Sequence, residues 1–354
     1  MDTACTITLH GGGVSETASL LRTLDKMLDN YSTDSAVSRL NQSGTLSGEE
    51  DVSRLVQETA ALQRTYGDSV DLTVGQLTRL WGITTDTPHV PTRAELAEVL
   101  PTISPEHVSV QADGTVTLTD GAQLDCGAVG KGYSLDRVKA ALDESGTAAW
   151  GTVSMTSSIL CYGEKPDGAA FQIQIRDPDG DGTLGTVSTD SCFLSTSGGY
   201  ERYFIADDGK KYCHILDPKT GMPAESDLTT VTVFCDSGLK SDFLSTLIWM
   251  EGSKNLPAHL KAKDYQIVAQ DTAGTLYVSD GLDLHSPTHS QAASPYKTPL
   301  FHIKASLEKG AGSRGLTEGF CCEVCNSRKG FTGIFPNHSQ RLSQKPFHFC
   351  RYIM

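Results

Sequence analysis

The chain of 354 residues is 38% hydrophobic and carries 29 Lys+Arg against 43 Asp+Glu, a formal net charge of −14. At about 100–200 residues per domain it holds one large domain or two ordinary ones, and its apolar fraction excludes wholesale disorder. The acidic balance argues against nucleic acid as a partner, because phosphate backbones select Lys/Arg-rich surfaces; a cation that bridges phosphates suits it better.

The opening MDTACTITLHGGG lacks the basic start and apolar stretch of a signal peptide. No apolar run reaches the ~18–20 residues of a membrane span. The chain as written is therefore expected in the cytoplasm, or exported or lipid-anchored if a leader lies upstream. TACTITLH (3–10) alternates Thr with apolar residues and predicts a strand. Leu20, Leu21, Leu24, Met27 and Leu28 repeat with helical period over 15–30, with Ser15 as its cap. Val52, Leu55, Val56, Ala60 and Leu62 predict a second helix over 51–66.

HVSVQADGTVTLTDGAQLD predicts a meander turning at Asp113-Gly114 and Asp120-Gly121. A helix from Tyr133 to Ser145 follows, then strands in FQIQIRDP and LTTVTVF, a helix over 239–251, and strands in DYQIVAQD and TLYVSDG. Strands and helices mix without a regular β-α-β rhythm, which predicts an α+β fold of mixed or antiparallel sheets with packed helices. No internal repeat is visible.

A boundary falls near Pro287, giving a main domain over 1–286 and a tail over 287–354. The tail carries 9 Lys+Arg against 3 Asp+Glu, which leaves 20 basic and 40 acidic residues in the body. Cys321, Cys322, Cys325, His338, His348 and Cys350 offer zinc-type ligands there. With one C-x-x-C and irregular His spacing, a basic, poorly ordered extension is the expectation instead. Ten cysteines in so long a chain do not make a disulfide framework.

Four segments use residue types that are costly in a pure scaffold. LDCGAVGKGYSLDRV (124–138) sets Lys131 among glycines at a helix start, where anions bind well. It is not a Walker A loop, and its spacing equally describes a glycine turn entering a helix. LSTSGGYERYFIADDGKKYCHILDPKTGMP (194–223) sets His214 between a Ser/Gly loop and an Asp-Pro turn. A His with an unperturbed pKa of ~6.5 can take a proton near neutral pH, though a lone His is also a common satisfied polar residue. LKSDFLSTLIWMEG (239–252) puts Asp242 and Thr246 at i and i+4 on one helical face. Such oxygens suit Mg²⁺, and they also suit an ordinary helix cap. SVDLTVGQLTRLWG (69–82) runs Asp71 and Thr73 along a predicted strand into an apolar stretch.

Taken in order, VDLTVGQLTRLWG, LDCGAVGKGYSLD, TSGGYERYF, HILDPKTGMP and SDFLSTLIWMEG resemble the signature of the bacterial FAD:protein FMN transferases, the ApbE family. LDNYSTDSAVSRLN (28–41) resembles that family's helix-to-loop stretch ending in Ser-x-x-Asn, and MDT stands where the family domain begins with Met-Gly-Thr. The resemblance covers about residues 1–286. It implies an ApbE-like, T-fold-like flavin transferase domain that binds FAD and Mg²⁺ and passes FMN to a Thr hydroxyl of a target flavoprotein, releasing AMP.

By the same resemblance Asp242 and Thr246 give side-chain oxygens to Mg²⁺, and Ala128 and Ser245 give backbone carbonyls. Met1, Tyr31, Asp71, Thr73, Asp125, Lys131 and Leu216 contact FAD, and His214 is the base. Thr156, Ser157 and Ser158 stand where the family has Gly-Gly-Asn, so no flavin contact carries over there. Water as acceptor would make the chain an FAD pyrophosphatase releasing FMN and AMP. The pocket alone would make it a non-catalytic FAD-binding protein.

Overall fold

Seven strands form one antiparallel sheet, and two helices that pack on one of its faces position the candidate site. The computed structural model describes residues 3–285 except 179 and 181. Met1 and the tail, with its zinc-type ligands, therefore lie outside the described residues.

In chain order the elements are β1 (Thr6–His10), α1 (Val14–Leu28), α2 (Ala36–Ser43), β2 (Thr45–Leu46), α3 (Glu50–Tyr66), α4 (Gly75–Trp81), α5 (Arg93–Val99), β3 (Val108–Val110) and β4 (Val116–Leu118). Then come α6 (Gly130–Ser145), β5 (Trp150–Met155), β6 (Ser158–Gly163), β7 (Phe171–Arg176), β8 (Thr183–Thr189), β9 (Cys192–Ser197), β10 (Tyr203–Ile205) and β11 (Lys211–Cys213). The last are β12 (Leu228–Cys235), α7 (Gly238–Glu251), α8 (Leu256–His259), β13 (Gln266–Asp271), β14 (Leu276–Val278) and β15 (Leu284–His285).

The main sheet runs β1-β5-β6-β9-β12-β13-β14, and every strand pair in the described residues is antiparallel. One face carries Leu160 and Phe193 against Leu135, Val138 and Leu142 of α6. The other carries Cys161, Leu194, Phe234 and Val268 against Phe171, Ile173 and Ile175 of β7, in the small sheet β15-β8-β7. Helix α7 is buried nearly all round, through Leu239, Phe243, Leu244, Leu247, Ile248 and Trp249. A helix apolar on every side belongs in an interior. The α+β architecture of antiparallel sheets and packed helices is thus the one the sequence predicts.

Three local expectations need correction. Ser15 lies inside α1, whose cap position is Gly13 at φ 86, with no side-chain cap. The meander has only two legs: β3 and β4 pair, but the chain after Asp120-Gly121 leaves that sheet. It runs beside residues 72–75 instead, through Gly75 N to the Gln123 carbonyl and Asp125 N to the Leu72 carbonyl. Residues 69–82 are consequently no strand. Asp71 and Thr73 sit in an irregular stretch, and the apolar run after them is α4. Its positions Leu77 and Trp81 pack with Leu96 on one helical face, a period of four rather than two. Among the described residues no helix is long and apolar enough to cross a membrane.

Candidate active site

Helices α6 and α7 cross with their backbones in contact. A Cβ on Gly132 would fall 2.0 Å from the Gly238 carbonyl oxygen, and one on Gly238 would fall 2.2 Å from that of Gly132. Only glycine allows that approach. Two carboxylates then tie each helix to the other's first turn. Asp136 of α6 accepts from Gly238 N and Leu239 N at 2.7 Å and from the Ser237 hydroxyl at 3.1 Å. Asp242 of α7 accepts from Gly132 N at 2.6 Å. Burial pushes the Asp136 carboxyl up to about 6 against those donors. The cap of α7 is Ser237, backed by Asp136, so Asp242 is free of that task.

Gly132 lies in the first turn of α6, whose N–H groups have no acceptor within the helix. Asp242 takes its N–H, and no donor among the described residues is bonded to the Ala128 carbonyl, two residues before the helix. Asp242 is 5% exposed, and its second oxygen takes the Ser158 hydroxyl at 2.6 Å. One turn on, Ser197 links the hydroxyls of Ser245 at 2.9 Å and Thr246 at 3.1 Å. The donor set is one carboxylate, an open carbonyl and neutral hydroxyls. Hard oxygens without thiolate or imidazole fit Mg²⁺. No group of three or more His, Cys, Asp or Glu able to hold a metal occurs among the described residues, so any ion here would rely on backbone, hydroxyl or substrate oxygens as well.

Asp125 stands at the foot of the glycine loop before α6. Its carboxylate accepts from Gly127 N at 2.7 Å, the Thr78 hydroxyl at 2.8 Å and the Asn30 amide at 3.0 Å. Asn41, the end of the Ser-x-x-Asn stretch, bonds both the N–H and the carbonyl of Leu124. Asp71 accepts from the N–H and hydroxyl of Thr73, each at 2.8 Å, and that hydroxyl accepts from Ser104 N at 2.9 Å. Both side chains are buried, and burial pushes the Asp71 carboxyl up. Thr73 is fully buried with its hydroxyl engaged on both sides, so its oxygen meets protein first. Tyr31 is 44% exposed, with its hydroxyl 3.3 Å from that of Thr84.

His214 follows β11 and is half-buried. Its Nδ1 lies 3.0 Å from the Arg202 carbonyl. A carbonyl only accepts, so Nδ1 carries the proton and Nε2 presents its lone pair. Burial, with smaller contributions from Arg202 and the Lys131 ammonium, lowers the His214 pKa to about 4. The expectation of a group titrating near neutral pH is corrected accordingly: the ring is neutral there. Lys131 has no ion-pair partner among the described residues, and its field reaches His214. Leu216 bridges to Pro223 and packs with Leu77 and Trp81, whose indole N–H donates to the Gly221 carbonyl at 2.7 Å. That bond ties the LWG segment to the DPKTG turn.

The structure thus gathers Asp242, Ser245 and Thr246 at the helix crossing with Ala128 just before α6, and the Lys131 charge acts on His214. It sets Asp71, Thr73 and Asp125 on adjoining backbone. Sequence reasoning missed Ser158, Ser197, Asn30 and Thr78 as partners of these groups. Ser197 lies in the TSGG segment and Asp136 ends the LDCGAVGKGYSLD segment, so both were visible as motif members without an evident task. Thr156 has φ 63, the left-handed region that favours Gly or Asn. Of the three residues standing in for Gly-Gly-Asn, it carries backbone strain and Ser158 holds Asp242.

The mixed fold thus carries oxygens gathered at a helix crossing, together with a neutral His and a Lys that has no ion-pair partner among the described residues. The chain belongs to the ApbE family, which it matches over residues 1–269. It is 32% identical over 269 residues to the FAD:protein FMN transferase of Treponema pallidum, covering 70% of this chain and 74% of that one. The Salmonella typhimurium protein of the same name is 29% identical over 241 residues, covering 65% of this chain and 68% of that one. Among solved structures, the ApbE protein of Thermotoga maritima superposes with a TM-score of 0.69 at 26% identity, over 78% of this chain and 94% of its own. The apo flavinyl transferase ApbE of Pseudomonas stutzeri gives 0.68 at 29%, over 78% and 91%.

Proposed function

We propose that this chain is a Mg²⁺-dependent FAD:protein FMN transferase whose acceptor is a Thr hydroxyl of a target flavoprotein. The observation that carries the reading is the buried Asp242 carboxylate at the helix crossing, with the Ser245 and Thr246 hydroxyls one turn on. Asp242, Thr246 and the carbonyls of Ala128 and Ser245 would hold the metal. Bound Mg²⁺ supplies neutralisation of phosphate charge during displacement at phosphorus.

Lys131 pairs with the FAD pyrophosphate at the first turn of α6, where the helix dipole adds to its charge. Asp125, with Asp71 and Thr73 behind it, Tyr31 and Leu216 contact the rest of FAD, as does Met1, which lies outside the described residues. His214 Nε2 takes the proton of the incoming Thr hydroxyl. The Thr oxygen bonds to the FMN phosphorus, the phosphoanhydride bond breaks, and AMP leaves. The Arg202 carbonyl holds the imidazole in the tautomer this step needs.

The test is mass spectrometry of a flavoprotein acceptor incubated with this protein, FAD and Mg²⁺. A gain of one FMN on a Thr, with AMP released, is expected. Free FMN and AMP without an adduct would make the protein a pyrophosphatase, and intact FAD would make it a binder; either refutes the proposal. The boundary at 286 belongs to the same reading, since every motif precedes it.

A further inference from the structure

Cys161 of β6 and Cys192 of β9 stand directly opposite each other in the main sheet. Opposed residues of antiparallel strands have Cα atoms about 4.5–5.5 Å apart, within the about 4.4–6.8 Å that a disulfide spans. Both side chains lie on the face covered by β7 and β8, away from Ser158 and α7. The Thr189 hydroxyl lies 3.3 Å from the Cys192 sulfur. Cys161 is fully buried, whereas Cys192 is partly exposed. Cys126, Cys213 and Cys235 belong to a different core cluster.

We propose that Cys161 and Cys192 are an oxidisable dithiol that closes to a reversible cross-strand disulfide with a small-molecule disulfide as oxidant. The Cys192 thiolate attacks one sulfur of the oxidant, and one small thiolate departs. Cys161 then attacks the Cys192 sulfur of the mixed disulfide and expels the second. The two protein thiols are oxidised, the oxidant is reduced to two thiols, and the two protons end on them. The division of labour follows the environment. Cys192 is the partly exposed thiol that an oxidant reaches first, whereas Cys161 is fully buried and resolves the mixed disulfide from within the sheet. The cross-link joins the strands that carry Ser158 and Ser197, so it ties the wall of the candidate site from behind.

The full-length protein is equilibrated in mixtures of glutathione and glutathione disulfide, alkylated at free thiols, and mapped without reduction. The expected result is a linked peptide pair containing Cys161 and Cys192, about 2 Da lighter than its dithiol form, that dithiothreitol separates. The unfolding temperature of the oxidised protein should rise by roughly 5 °C, because the link constrains the unfolded chain. Cys192→Ser should show neither change under the same oxidant. Full alkylation of both thiols in pure glutathione disulfide would overturn the proposal. So would a glutathione adduct on Cys192 that Cys161 never displaces.

Discussion

The two halves of the candidate site are held by different means. At the helix crossing, Asp242 receives one main-chain N–H and one buried hydroxyl, and two glycines bring the backbones into contact. At His214 a single carbonyl orients the ring, and the flanking structure is a short hairpin, β10–β11, and a tight turn. The first half fixes position through the core. The second fixes a tautomer and leaves one nitrogen open. The lesson is that damage to the crossing should cost the whole site, whereas damage at His214 should cost one step.

Asp242→Ala tests the first half and should have the largest effect. It removes the only full negative charge of the oxygen cluster, so metal-dependent FMN transfer should fall below detection and Mg²⁺ binding by calorimetry should vanish. Gly132→Ala should act on the same half through sterics, since its Cβ would meet the Gly238 carbonyl at 2.0 Å. Overpacking of that kind costs about 1–3 kcal/mol or more, which thermal unfolding would register. Lys131→Ala should weaken FAD binding by about 1–3 kcal/mol, roughly 5- to 150-fold in titration. Smallest of all, a chain ending at Ser286 should keep its unfolding temperature and its transfer rate; loss of either would move the domain boundary.

The pH dependence sharpens the contrast. Because burial holds the His214 pKa at about 4, transfer should be flat across neutral pH and fall only as the medium approaches that value. An unburied base would give a limb near ~6.5 instead. The sign for stability is the same. The folded-state value lies below the unfolded one, so between ~6.5 and 4 the unfolded chain takes up the proton first and acidification destabilises the fold. Unfolding measured from pH 7 to 4 should show this loss, and His214→Gln should reduce it.

What the sequence reveals follows from the same difference. Alternation in FQIQIR and the helical repeats over 51–66 and 239–251 mark elements that burial alone dictates, and they form as expected. Segment 69–82 misleads because Val70, Leu72 and Val74 alternate while Leu77 and Trp81 follow a helical period, and a backbone pairing with residues 123–125 decides between them. Strands β6 and β9 carry no clean alternation, since the main sheet is covered on both faces. The site residues are legible as types in motifs, yet their partners Ser158, Asn30 and Thr78 come from 47 to 95 residues away. Long-range hydrogen bonds leave no periodic trace in one sequence.

The most direct test of the two-part site is His214→Ala assayed for both FAD affinity and FMN transfer at saturating Mg²⁺. General base catalysis contributes about 10²–10⁴-fold, so turnover should drop by that amount while the FAD dissociation constant stays within about twofold, under ~0.5 kcal/mol. Near-normal turnover would remove His214 from the chemistry, and lost FAD binding would make it part of the cofactor pocket instead; either result contradicts the account.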